Sequence, residues 1–75
     1  MSTTIFKKTT IDGWKVDECW KFDRAIDNPD KLYARHFIDN DKGTFQRVIE
    51  TKWFSSADKG NSFYKKLRKE GYEVR

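Results

Sequence analysis

The sequence predicts a small α+β fold: an antiparallel sheet of three to four strands with one C-terminal amphipathic helix packed on it, in the order ββββα. Three observations predict it. Apolar and polar residues alternate through much of the chain before residue 55, turn signals cut that stretch into hairpins, and the period then changes to that of a helix. Seventy-five residues make a single domain, 1–75, with a small core. Three tryptophans, three tyrosines and six phenylalanines supply that core with large apolar area on few residues, which sets the chain apart from a disordered one despite 37% charged residues.

The elements follow in order. Asp12-Gly13 is a two-residue hairpin signal, because a type I′ turn needs positive φ at both central positions. It joins a strand near residues 5–11 to a longer one from Trp14. In the second strand Trp14, Val16, Trp20 and Phe22 share one parity, and Lys15, Asp17, Cys19, Lys21 and Asp23 take the other, as expected with one buried face. Pro29 in "DNPD" breaks the chain again, fixing its own φ and excluding Asn28 from the helical region. "DNDKG" then separates "KLYARHFI" from "TFQRVIETKWF", two runs rich in aromatic and β-branched residues that form a second hairpin.

Two registers of that hairpin are open. With Ile38 opposite Thr44, one face carries Tyr33, Arg35, Phe37, Phe45, Arg47, Ile49 and Trp53, and the other holds Leu32, Ala34, Ile38, Val48 and Phe54 as core. With Ile38 opposite Phe45, Ile49 and Trp53 join the core instead, and Gln46, Val48 and Lys52 turn outward with Tyr33, Arg35 and Phe37. In the last segment Ala57, Gly60, Phe63, Tyr64, Leu67 and Gly71 fall within an arc of about 120° on a helix. Lys65, Lys66, Arg68 and Lys69 occupy the other side. Ser55 or Ser56 caps the start, Gly71 suits the left-handed position past the end, and Gly60 lets helix and sheet approach closely. "YEVR" either extends the sheet or trails from it.

Composition narrows the function classes. A single cysteine, Cys19, excludes an internal disulfide and a thiolate metal cage and suits a reducing, cytoplasmic setting. No apolar run approaches the ~20 residues that span a bilayer, and "MSTTIFKKTT" lacks the apolar stretch of a secretory signal. Nucleophilic catalysis would need Cys19 to meet His36, the only histidine, in space, with a third group orienting the base, and no Ser or Cys nucleophile pattern surrounds His36. Asp39, Asp41 and Glu50 stand at calcium-loop spacings, but Gly43 and Thr44 break the pattern where a ligand and a glycine are required. The four glycines are dispersed, so no phosphate loop forms. No enzyme activity, metal or cofactor is expected.

Charge points to surface recognition. The net +4 lies wholly in the second half, and between Lys59 and Lys69 there are five basic residues and no acidic one. A basic face opposite an apolar stripe is common to soluble helices, and its functional reading is phosphate contact. The leading expectation is a small basic, non-enzymatic, nucleic-acid-associated protein. Bases would stack on Tyr33 and Phe37 of the hairpin, Arg35 and Arg47 would contact phosphate or stack as well, and Lys65, Lys66, Arg68 and Lys69 would bind phosphates of DNA or RNA. The alternative is a protein-binding regulator, a compact inhibitor or accessory subunit of the kind phages encode, docking on a larger partner through the same aromatic and arginine residues. An exposed strand edge, such as "TTIFKKTT", also offers a route to a homodimer. No membrane partner is expected, because Phe63, Tyr64 and Leu67 belong to the core.

Overall fold

A computed structural model describes residues 2–28, 30–40 and 46–75. The chain forms β1 (Thr3–Ile11), β2 (Trp14–Arg24), β3 (Leu32–Asp39), β4 (Gln46–Phe54), α1 (Ala57–Lys69) and β5 (Glu73–Val74). The strands make one antiparallel sheet in the order β4-β3-β2-β1-β5. The α+β class and the C-terminal helix are as expected. Among the described residues the sheet has five strands rather than three to four, because "YEVR" does extend it: Val74 pairs with Ile5 and Glu73 with Phe6.

The first hairpin turns at Asp12 (φ 51°) and Gly13 (φ 83°), the two positive values a type I′ turn requires. The second hairpin adopts neither expected register. Ile38 pairs with Arg47, and Leu32 with Phe54. A bulge between His36 and Phe37 shifts the pairing by one, so His36 opposes Glu50 while Phe37 opposes Val48. The two alternatives differed by one residue, and the bulge lets each half of the hairpin follow a different parity. Thr44 and Phe45, on which both expected pairings rested, lie outside the described residues.

The core sits between one sheet face and α1. Ile5, Trp20, Ala34, Phe54, Leu67 and Tyr72 form it, with Phe22, Leu32, Phe63 and Tyr64 packed around them. Phe63 meets Trp20 edge-on at 5.0 Å and Phe54 at 5.5 Å, and Tyr64 meets Phe22 edge-on at 5.5 Å. Of the predicted stripe, Gly60, Phe63, Tyr64 and Leu67 face inward, whereas Ala57 is exposed and Gly71 (φ 105°), also exposed, lies past the helix end in the left-handed position. Ser56 is the cap; its hydroxyl accepts from the Lys59 N–H at 3.3 Å. Gly60 is buried, and a Cβ there would lie 3.0 Å from Leu32 Cδ1, so a side chain at this position would press on Leu32 of the sheet. No helix among the described residues is long and apolar enough to cross a membrane.

Candidate functional site

Strand pairing assigns side chains to faces. Trp20, Phe22, Ala34, His36 and Phe54 point toward the helix. Asp17, Cys19, Lys21, Asp23, Tyr33, Arg35, Phe37, Thr51 and Trp53 belong to the helix-free face. Cys19 and His36 are thus on opposite sides and do not meet. His36 stacks on Trp20 with 4.1 Å between ring centroids, and its Nε2 donates to Glu18 Oε1 at 2.8 Å. That is the structural role of a cross-strand histidine.

The helix-free face was expected to be a wet one, yet four of its residues are buried: Cys19, Asp17, Phe37 and Asp39. Asp17 and Asp39 are direct cross-strand partners, a like-charge pairing that is unfavourable alone. Arg75 resolves it. Its backbone N–H donates to Thr4 at the outer side of β1, and its Nη2 lies 3.6 Å from Asp17 Oδ2 and 3.2 Å from Asp39 Oδ2. Lys8 Nζ approaches Asp17 Oδ1 at 3.8 Å. Strands lie about 4.8 Å apart, so an arginine outside β1 reaches β3 only if the sheet curls toward this face. Curvature also explains how these groups are buried with no helix over them. Burial pushes the Cys19 thiol up to about 11; Arg75 opposes the shift, and Asp17, Asp39 and Glu18 add to it. Cys19 is accordingly a poor nucleophile.

Farther along the same face the surface opens. Tyr33 and Trp53 are cross-strand partners with ring centroids 5.0 Å apart, and Trp53 is 58% exposed. Arg35, opposite Thr51, is the next residue along that face and is exposed; Lys21 is its partner on β2. Beside Trp53 a cleft of about 370 Å³ is lined by Ala25, Asp27, Asn28 and Lys31. Asn28 shapes the loop there, its Oδ1 accepting from the Asp30 N–H at 3.1 Å.

The sequence-predicted site residues do not form one surface. Tyr33 and Arg35 stand together on the helix-free face. Phe37 shares that face but is buried, so its ring is closed to a ligand. Arg47 pairs with Ile38, past the bulge, and belongs to the helix-facing side, away from Arg35. Lys65, Lys66, Arg68 and Lys69 are all exposed on the outer side of α1, across the sheet from Tyr33. Trp53 and Lys21 were not among the expected site residues. The cross-strand position of Trp53 depended on the register, and Lys21 showed only the parity of its strand. The described residues contain no group of three or more His, Cys, Asp or Glu side chains able to hold a metal ion. Comparison with protein-family models, curated proteins and solved structures finds no match.

Proposed function

We propose that the protein binds single-stranded nucleic acid on the helix-free face, with a base stacked on Trp53. The observation that carries this reading is an exposed Trp53 ring braced by Tyr33 beside Arg35 and Lys21. An unpaired base offers a π-face to such a ring, and a guanidinium and an ammonium nearby can neutralise phosphates. A base within a duplex is already stacked on both sides, so the platform favours single strands. The cleft lined by Asn28, Asp27 and Lys31 supplies polar groups at the ring's edge. In this reading the helix cations contribute a long-range attraction rather than direct contact, because they stand on the other side of the sheet.

The test is binding of a labelled single-stranded oligonucleotide and its duplex at two salt concentrations. Preference for the single strand and weakening at higher salt are expected. Trp53→Ala should weaken binding by about 1–3 kcal/mol, and Arg35→Ala should reduce the salt dependence. Lys65→Ala with Lys66→Ala should have a smaller effect than Trp53→Ala. Equal loss from both sets, or binding indifferent to salt, would overturn this assignment.

Docking on a protein partner is the second reading, favoured by Val48 and Ile49, which are exposed on β4, the strand that carries Trp53. Unchanged partner capture from a nuclease-treated lysate, together with no oligonucleotide binding, would select it.

A further inference from the structure

We propose that the protein pairs with a second copy of itself through β4, antiparallel, with the two-fold axis at Thr51. The two edges of the sheet differ. Among the described residues, the β1 edge is partly covered by β5, whereas β4 ends the sheet with no neighbouring strand, and its residues 46–53 are all exposed. Such an edge presents unpaired backbone N–H and C=O groups to any strand that can match it. Three of the large exposed apolar residues, Val48, Ile49 and Trp53, are gathered on this one strand.

Charge selects both the occupant and the register. Antiparallel pairing of two identical strands places the axis perpendicular to the sheet, through a residue that faces its own copy. An axis at Glu50 sets two carboxylates against each other, and an axis at Lys52 sets two ammonium groups against each other. An axis at Ile49 falls in the bulge. Only an axis at Thr51 sets Glu50 opposite the second copy's Lys52, twice by symmetry, on the helix-facing side. Lys52 lies on the helix-facing side, its Nζ 4.4 Å from the Phe63 ring centroid. A lysine and a bulge on an edge strand ordinarily discourage pairing. Here Glu50 answers the lysine in one register, so these residues choose the alignment rather than forbid it. The same arrangement brings Trp53 opposite the second copy's Ile49 and leaves both helix-free faces on one side.

Pairing is tested without nucleic acid, so its failure is separable from failure of the binding assignment. Sedimentation over a range of concentrations should show a monomer–dimer equilibrium. Glu50→Lys should weaken it about tenfold or more by setting lysine against lysine, and the double exchange Glu50→Lys with Lys52→Glu should restore it. Because Lys52→Glu also removes the contact with Phe63, circular dichroism accompanies that variant, and a second variant decides independently. Thr51→Cys places two thiols at the axis, where facing Cα atoms lie about 4.5–5.5 Å apart, within disulfide reach. Mild oxidation should convert it to a covalent dimer, while wild type, whose Cys19 is buried, should not cross-link. A wild-type chain monomeric at every concentration, a Glu50→Lys variant that dimerises like wild type, or a Thr51→Cys variant that stays monomeric under oxidant each overturns the proposal.

Discussion

The two faces of the sheet bury their residues by different physics. The helix-facing side is covered by a second layer, and its interior is aromatic and aliphatic: Ile5, Trp20, Ala34, Phe54 and Leu67. Such burial is non-directional and follows apolar area removed from water. The other side has no covering helix. It curls, and Arg75 spans the curve between Asp17 and Asp39, with Lys8 also approaching Asp17. There burial is directional and depends on one side chain being in place. Layering tolerates local adjustment, whereas a charge brace fails as a unit.

The sharpest way to break the layered side is Ile5→Ala. Ile5 is fully buried, so its truncation removes transfer energy and leaves a cavity, and a loss of about 2–5 kcal/mol in chemical denaturation is expected. The braced side is broken by Arg75→Met, which leaves two buried carboxylates facing each other. Half-exposure of the guanidinium moderates the effect, and the expected loss is about 1–3 kcal/mol, again by denaturation. Asp39→Asn combined with Arg75→Met should then recover part of it, since the repulsion has been removed.

A smaller effect distinguishes the faces by pH. Burial raises Cys19 on the braced side and Tyr72 on the layered side, each of which is neutral in the folded protein at ordinary pH. A raised folded value means that stability is fully present below the unfolded value, 9.0 for the thiol, and is lost as pH climbs through about 11. The denaturation midpoint should therefore stay flat on this account up to about pH 9 and fall above it. Cys19→Ala should shallow that fall, and Cys19 should react with a thiol reagent at neutral pH only when the protein unfolds.

Much of the layered side was legible in the residues themselves. The Asp12-Gly13 turn, the parity of Trp20 with Phe22, the helix stripe of Phe63, Tyr64 and Leu67, and the close approach at Gly60 follow from local rules. The braced side was not legible, because burial of Asp17 and Cys19 depends on curvature and on an arginine far away in sequence. Alternation marked both as outward-facing. The candidate site suffered in the same way. Tyr33 and Arg35 stand where strand alternation puts them, but a bulge moved Arg47 to the other face, and no composition signal announces where a bulge will fall. The split between helix cations and aromatic platform likewise comes from which face the helix covers, a tertiary choice.

Arg75 also bears on the order in which the molecule assembles. Its side chain bonds Cys19 across 56 positions of chain, and Lys7 reaches the carbonyl of Glu70 across 63. Contacts that close such long loops form after the local hairpins, because chain entropy must be given up before they return anything. Asp17 and Asp39 should therefore stay hydrated through most of folding and lose water only as the final strand docks. Stopped-flow measurements of Arg75→Met should show faster unfolding with an almost unchanged folding rate. The brace is then a latch: absent from the folding barrier, and felt only by a chain that tries to leave the native state.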